Sequence, residues 1–290
     1  MIALAFWGLT RSTEHTAESI ERFIYEHLPQ RYVFIHTYTS RQPYVNDHAL
    51  ERADNIAAAY ERLNPYKVEV DDLDEVKRKI PFERYRTHRD PWNSNYQTVD
   101  HFILAMHSKE RVTEMVQKSG LPFKTVIFLR PDVRYRSPIT SVLRLASTDT
   151  WVIPRFHLYN GFNDRFCVAS AKNYLLYGRV FSLLLSYSRR KPLHSETFYG
   201  DLAKAARVRI TYAPATFVFE RVRMNGSTDP NDLFLYKAVG HVAGKASDPK
   251  NVELDNRIFR NLPVRKAFTS FLGDGVGLVR KPTRIVRLDV

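Results

Sequence analysis

The N-terminal half of the chain alternates short apolar runs with longer amphipathic segments. Apolar runs predict strands at residues 2–6, 32–37, 66–70 and 126–129. The intervening patterns predict three helices. The first begins at Ser12 or Thr13 and ends at about residue 28, the second covers 49–63, and the third covers 96–119. The second ends at an Asn-Pro pair, because proline cannot continue a helix. Strands that alternate with helices favour a βαβ architecture with a mostly parallel central sheet.

The pattern becomes mixed after Trp151. Strand-like runs occur at 151–153, 162–170, 208–212 and 217–223, and helical patterns at 172–186 and in a short segment that ends at 206. The periodic signal weakens after residue 225, and the last residues form a basic tail. The sequence therefore predicts an α/β fold with a mixed C-terminal half.

The strand predicted at 126–129 is followed at once by charge. Arg130 and Asp132 stand where the strand leaves the sheet, and ligands of open α/β sheets bind outside the carboxyl ends of the strands. A carboxylate there can hold a divalent cation, and an arginine can bind phosphate oxygens directly. The alternative is a structural ion pair between the two side chains.

The turn after the first predicted strand is a second candidate for phosphate binding. Gly8, Thr10 and Arg11 precede the first predicted helix, where backbone N–H groups, a hydroxyl and a guanidinium suit an anion. The spacing matches neither a P-loop nor a dinucleotide-binding fingerprint. An ordinary capped turn is the alternative.

Residues 160–165 place polar side chains between apolar flanks. Asn163, Asp164 and Arg165 offer donors and acceptors that suit sugar hydroxyls, and Gly161 allows close approach. The same residue types also form a network of Asx turns.

A fourth candidate segment, around residue 195, contains a possible general base. Glu196, with His194 beside it, could remove a proton from an acceptor hydroxyl. An N-terminal helix cap would use the same residues.

Composition narrows the choice of partners. The chain has 290 residues, 44 Lys+Arg against 31 Asp+Glu, a net charge of +13 and a pI near 9.8. Such an excess favours anionic partners, although solvated surface arginines would give the same total. The single cysteine, Cys167, excludes an internal disulfide and a cysteine-based zinc site. The sequence suggests no signal peptide and no membrane span, so a cytoplasmic location is expected, with peripheral membrane contact still open.

These motifs, in this order along the chain, resemble those of a known group of proteins. The resemblance rests on Leu129-Arg-Pro-Asp132-Val, Tyr159-Asn-Gly-Phe-Asn163-Asp164-Arg165-Phe, Pro192-Leu-His194-Ser-Glu196, the opening Ala5-Phe-Trp-Gly-Leu-Thr-Arg-Ser and the His36-Thr-Tyr segment. Over residues 2–226 the chain resembles a group of glycosyltransferases of large DNA viruses (chlorovirus-like) and algae. The resemblance implies a GT-A-like fold, a nucleotide-sugar donor, a glycan acceptor and often a Mn²⁺ or Mg²⁺ ion. A viral protein of this group would act in the host cytoplasm.

The resemblance also implies roles for single residues. Glu196 is the first candidate for the catalytic base of an inverting transferase, and Asp164 is the second. The residues expected to bind the nucleotide-sugar donor are Gly8, Thr10, Arg11, Arg130, Asp132, Asn163, Arg165 and His194. Asp132 would be the metal ligand, but Arg130 stands where the usual Asp-x-Asp motif has its first aspartate, so metal dependence is open.

The resemblance divides the chain into a catalytic domain over 1–225 and an extension over 226–290 that packs on or wraps it. Within the domain, the donor half covers about 1–135 and the acceptor half about 136–225. The donor is expected to be a UDP-sugar that delivers a hexose or xylose. No nucleic-acid partner is expected, because no known binding module appears. A basic nucleic-acid-binding protein and a degenerate sugar-binding protein are the alternative functions.

Overall fold

The computed structural model describes residues 1–47, 50–214 and 216–228. Its strands, in chain order, are β1 (Ile2–Trp7), β2 (Arg31–Thr39), β3 (Tyr44–Asn46), β4 (Glu51–Ala53), β5 (Lys67–Asp72), β6 (Thr125–Leu129), β7 (Val133–Tyr135), β8 (Thr150–Ile153), β9 (Cys167–Ser170), β10 (Arg209–Tyr212) and β11 (Phe219–Arg221). Its α-helices are α1 (Thr13–Phe23), α2 (Leu73–Lys79), α3 (Gln97–Lys118), α4 (Thr140–Leu143), α5 (Tyr174–Gly178), α6 (Phe181–Ser188) and α7 (Ser195–Ala205).

A seven-stranded sheet forms the centre of the molecule, in the order β10-β8-β9-β6-β1-β2-β5. All its strands run parallel except β9, which is antiparallel to both β6 and β8. Two small antiparallel pairs, β7 with β11 and β3 with β4, lie outside this sheet. The structure confirms the predicted α/β class, with a mostly parallel sheet and a mixed second half.

Helices cover both faces of the sheet, which explains why the central strands are apolar throughout. Successive side chains of a strand point to opposite faces. Ala5 and Trp7 of β1 therefore pack in one core, with α2, α3, α5, α6 and α7. Leu4 and Phe6 pack in the other core, with α1 and α4.

The helix predicted over 49–63 is wrong. The chain there forms β4 and a short 3₁₀ turn, Glu61–Leu63, and Ile56 pairs with Ser40 through both backbone hydrogen bonds. An alanine-rich stretch has high helix propensity, but tertiary contacts override propensity. Glu51 supplies one such contact through its ion pair with Arg11.

Other predicted bounds shift without changing the layout. The helix predicted from residue 12 to 28 ends at Phe23, the strand predicted at 162–170 starts at Cys167, and the helix predicted at 172–186 is divided into α5 and α6. The predicted extension over 226–290 lies outside the described residues after 228. Among the helices that the structure describes, none is long and apolar enough to cross a membrane.

The long helix α3 packs closely against the end of α5. A Cβ added to Gly178 would lie 2.0 Å from Oγ1 and 2.7 Å from Cγ2 of Thr113, which is far inside van der Waals contact. Thr113 is fully buried and donates its hydroxyl to the backbone oxygen of Lys109. The glycine is therefore required by packing.

We expect Gly178→Ala to lower the free energy of unfolding by about 1–3 kcal/mol, because the added methyl group overpacks this contact. In a double-mutant cycle, Thr113→Ala should relieve part of the clash, so the two losses should be less than additive. Denaturant unfolding of the parent, both single variants and the double variant measures this coupling. Strict additivity would show that the two residues do not limit each other's space.

Candidate functional site

The sheet topology brings the predicted site residues to one edge. β1 and β6 are parallel neighbours, so Gly8 and Arg130 follow them at the same carboxyl edge. β8 ends at this edge too, and the antiparallel β9 starts there, because Cys167 pairs with Phe128 near the end of β6. The segment 154–166 therefore leaves the sheet and returns to it at this edge.

A cleft of about 590 Å³ opens at this edge, above the ends of β1 and β6. Four cationic side chains line it: Arg11, Lys77, Arg130 and Arg221. The rest of its lining is Gly8, Leu9, Tyr38, Tyr44, Asn46, Leu73, His101, Leu104 and Ala105. We call this the cationic cleft. It contains three of the predicted donor-binding residues, Gly8, Arg11 and Arg130.

Asp132 lies beneath the cationic cleft and is fully buried. Its Oδ1 accepts from Nε of Arg130 at 2.7 Å. Its Oδ2 accepts from Nη2 of Arg130 at 2.7 Å and from Nε of Arg221 at 3.0 Å. Burial would raise the pKa of Asp132, but the charges of the two arginines hold that pKa well below its usual range. The carboxylate is thus ionised, and both of its oxygens accept hydrogen bonds from arginines.

This donor set does not fit the divalent cation that the resemblance implies. Mn²⁺ and Mg²⁺ need several oxygen ligands with accessible lone pairs. Both oxygens of Asp132 are taken by guanidinium groups. Within residues 1–47, 50–214 and 216–228, no group of three His, Cys, Asp or Glu side chains is placed to hold a metal ion. The predicted metal role of Asp132 therefore disagrees with its surroundings.

The second wall of the cationic cleft holds Arg11. Its Nη2 is 2.9 Å from Oε2 of the buried Glu51, and its guanidinium lies over the ring of Tyr44 at 5.2 Å. Nε of Arg11 is buried and has no hydrogen-bond partner in the part of the chain that the structure describes. The pKa of His101 is lowered to about 4 by burial and by the charges of Lys77 and Arg11, so this histidine is neutral.

Glu196 lies at the same edge, in the first turn of α7. Its side chain is nearly buried, and Oε2 accepts from the Ser195 hydroxyl at 2.6 Å. Burial raises the pKa of Glu196 to about 7, and the negative charge of Asp164 adds to this rise. Such a carboxyl gains and loses its proton near neutral pH, as a general base must.

His194 is the N-cap residue of α7. Its Nδ1 accepts from the backbone N–H and hydroxyl of Thr197, and its ring stacks on Trp92 at 5.1 Å. Burial lowers the pKa of His194, which keeps the ring neutral. Nδ1 is 3.6 Å from Oε2 of Glu196, so the predicted pair does come together, with His194 also capping α7.

The loop that contains Asp164 packs directly on the first turn of α7. Phe162 N–H donates to the backbone oxygen of Glu196 at 3.0 Å. A Cβ on Gly161 would lie 1.8 Å from that same oxygen. Gly161 does permit a close approach, as the sequence suggested, but the approaching group is the backbone of Glu196.

Two predicted donor-binding residues are used inside the fold. Asn163 is buried, donates to the backbone oxygen of Phe156 at 3.0 Å and accepts from the N–H of Arg165 at 2.9 Å. This is the Asx-turn alternative. The buried hydroxyl of Thr10 lies 3.2 Å from that of Thr37 and accepts a backbone N–H. Neither side chain lines the cationic cleft. A third, Arg165, is half-buried, and its positive charge partly offsets the rise in the pKa of Glu196 that burial causes.

A buried lysine joins the cationic cleft to the loop beside Glu196. Nζ of Lys109 lies over the rings of Trp7, Tyr177 and Tyr199 at 4.1, 4.6 and 4.5 Å. It donates to the backbone oxygen of Asp164 at 3.2 Å and to the Tyr199 hydroxyl at 2.9 Å. The guanidinium of Arg130 also packs on Trp7, at 4.8 Å. The two parts of the site are therefore connected by direct contacts.

The sequence missed Lys109, Arg221 and Glu51. Lys109 occupies the apolar face of α3, since Met106 and Val112 on either side of it are buried, and a lysine at such a position is a signal. Arg221 and Glu51 carry no local signal, because their partners are distant in the chain.

No protein-family model and no curated protein matches this sequence. Among solved structures, the apo form of mouse xyloside xylosyltransferase 1 aligns with a TM-score of 0.39 and 12% identity over 74% of this chain and 84% of that chain. Galactosyltransferase LgtC, in complex with donor and acceptor sugar analogues, aligns with a TM-score of 0.40 and 11% identity over 74% of each chain. Both of these proteins are sugar transferases.

The buried ammonium of Lys109 should make stability depend on pH. Burial lowers its pKa from 10.5 to about 7, so between these values the unfolded chain binds the proton and the folded chain does not. Stability contributed at this site therefore rises from pH 7 to pH 10. Methionine does not titrate, so Lys109→Met lacks this rise. Between pH 7 and pH 10 the free energy of unfolding of the parent should therefore increase by more than about 2 kcal/mol relative to that of the variant.

Denaturant unfolding of both proteins at several pH values measures this difference. The contributions of the titrating groups that the two proteins share cancel when one free energy is subtracted from the other. Lys204→Met, at an exposed position of α7, is the matched control and should differ from the parent by a constant amount. A constant difference for Lys109→Met as well would refute the lowered pKa.

Proposed function

We propose that the chain is a glycosyltransferase, which moves a sugar from a nucleotide-sugar donor to a hydroxyl group of a glycan. The observation that carries the proposal is the placement of Glu196, with a pKa raised to about 7, at the same sheet edge as a cleft lined by four cationic side chains. A base for the acceptor and positive charge for a departing diphosphate are what inverting transfer requires. The motif resemblance indicates that the transferred group is a sugar.

In this reaction Glu196 takes the proton of the acceptor hydroxyl. The acceptor oxygen then forms a bond to the anomeric carbon, and the bond from that carbon to the diphosphate oxygen breaks with inversion. The diphosphate leaves with the bonding electron pair, and its charge is stabilised by Arg11, Arg130 and Arg221. The proton remains on the carboxyl of Glu196 until solvent removes it.

A second cavity beside the base suits the acceptor. It has a volume of about 510 Å³ and is lined by Pro91, Tyr159, Asn160, Tyr187, Lys191, Pro192, His194 and Thr197. Two of these, His194 and Thr197, flank Glu196 in the chain. Aromatic rings with polar neighbours bind the apolar faces and the hydroxyls of sugars. We place the glycan acceptor here and the nucleotide-sugar in the cationic cleft. UDP with a hexose or xylose is the expected donor.

Glu196→Gln should lower kcat by about a hundredfold or more, because the amide cannot accept the proton. The affinity for the nucleotide should stay within about twofold, since the substituted side chain lies outside the cationic cleft. Glu110→Gln is the matched control, because the half-buried Glu110 also has a raised pKa but accepts from Ser182 and lines neither cavity. Full activity of Glu196→Gln would remove Glu196 as the base.

The pH dependence should report the same group. Since the base acts in its deprotonated form, kcat/KM should rise with pH up to about 7 and then level off. Below that value it should fall about tenfold per pH unit. Initial rates between pH 5 and 9 measure the profile. An acid limb with its midpoint near the ordinary glutamate value would contradict the raised pKa.

The donor can be identified from a thermal-shift panel of UDP-, GDP- and other nucleotide-sugars. A ligand at a hundred times its dissociation constant stabilises the folded protein by about 2.7 kcal/mol. A selective shift, followed by release of the free sugar or its transfer with inverted configuration, would support the proposal. The proposal fails if no nucleotide-sugar binds, and salt-dependent oligonucleotide binding would then support the nucleic-acid alternative.

A further inference from the structure

At the exit of β6 the chain presents a basic residue where a metal-dependent transferase needs an acidic one. Asp132 is the one carboxylate of this exit, and it is buried and shared between Arg130 and Arg221. Drawing it onto a cation would break charge-assisted hydrogen bonds of 2.7–3.0 Å and leave two guanidinium groups without their counter-ion. The carboxylate is therefore committed to the arginines.

The charge balance of the cleft makes a cation unnecessary. Arg11, Lys77, Arg130 and Arg221 line it, while Glu51 and Asp132 are the carboxylates paired with these arginines. The four cations and their two carboxylates leave two positive charges, and Arg223, which also pairs with Glu51 at 3.8 Å, adds a third. The excess is therefore at least the charge of one divalent ion. Burial is the main cause of the lowered pKa of His101, and the positive charges of Lys77, Arg11 and Arg221 lower it further.

The guanidinium groups are also held in place before any ligand binds. Arg130 is fixed by its two hydrogen bonds to Asp132 and by the ring of Trp7, and these bonds use Nε and Nη2 but not Nη1. Arg11 is fixed by Glu51 and keeps its Nε donor unpaired within the described residues. Preorganised guanidinium groups bind phosphate oxygens well because little entropy is lost.

We propose that these arginines replace the metal ion, so that the cationic cleft binds the diphosphate of the donor directly and transfer needs no divalent cation. Asp132 serves as the internal counter-ion that orients Arg130 and Arg221. This inference rests on the proposed function, because it assigns the diphosphate of a nucleotide-sugar to the cleft.

Isothermal titration with UDP and GDP as probes tests it, once with excess EDTA and once with Mn²⁺ or Mg²⁺. We expect the dissociation constant of the better probe to differ by less than about threefold between the arms, because the cation's charge is already present in the protein. Arg221→Met should weaken binding about tenfold or more in both arms. Sugar release or transfer should also persist in EDTA.

Arg221→Met could disturb folding, since it leaves the buried Asp132 with one partner fewer. Lys77→Met avoids this problem, because Lys77 is exposed on α2 at the mouth of the cleft. It should weaken probe binding by about threefold in both arms. Lys79→Met is the matched control on the same helix, where the lysine pairs with Glu75 outside the cleft, and it should leave binding unchanged.

The outcomes separate the two proposals. Binding that occurs only with Mn²⁺ or Mg²⁺, and is lost in EDTA, would overturn the cation-free cleft while leaving the proposed function intact. Failure of every nucleotide to bind in both arms would overturn the proposed function, and the inference with it. Equal effects of Lys77→Met and Lys79→Met would move the binding site away from the cationic cleft.

Discussion

The buried carboxylate of Asp132 holds together parts of the chain that are far apart in sequence. Its side chain binds Arg130 at the end of β6 and Arg221 of β11, and its backbone oxygen accepts from the N–H of Val222 at 2.8 Å. An ionised group without solvent costs several kcal/mol unless it is paired, so this arrangement is close to obligatory once Asp132 is buried. The position of the arginines in the cleft follows from that constraint.

The same constraint extends across the site through Trp7. One indole ring contacts both the guanidinium of Arg130 and the ammonium of Lys109, and Lys109 binds the backbone of Asp164 in the loop that packs on Glu196. The cationic cleft and the proposed base are thus parts of one packed network. Cation–π contacts of this kind strengthen when water is excluded, and the fully buried Lys109 makes them below pH 7, where it carries its proton.

The sequence predicted the sheet well because apolar runs are local signals. The predicted runs became β1, β2, β5 and β6, and topology then brought Arg130, Gly8 and the 160–165 loop to one edge. The helix predicted over 49–63 failed because local propensity does not include the pull of Arg11 on Glu51 or the pairing of Ile56 with Ser40. Asn163 shows a further limit, since one amide can serve a turn or a sugar with the same atoms. The catalytic roles themselves remain predictions.

The antiparallel strand of the central sheet, β9, has a consequence for how such a protein can diversify. Because β9 runs against its neighbours, the segment 154–166 begins and ends at the site edge and never has to cross the sheet. Its exposed part, Tyr159 and Asn160, can change while the strand register stays as it is. The rest of the segment is held by the contacts of Gly161 and Phe162 with α7, by the hydrogen bonds of Asn163 and by the bond from Lys109 to Asp164. Substitutions or insertions at Tyr159 and Asn160 would therefore alter the lining of the second cavity at little cost in folding, so the specificity of the proposed acceptor site can evolve separately from the cationic cleft.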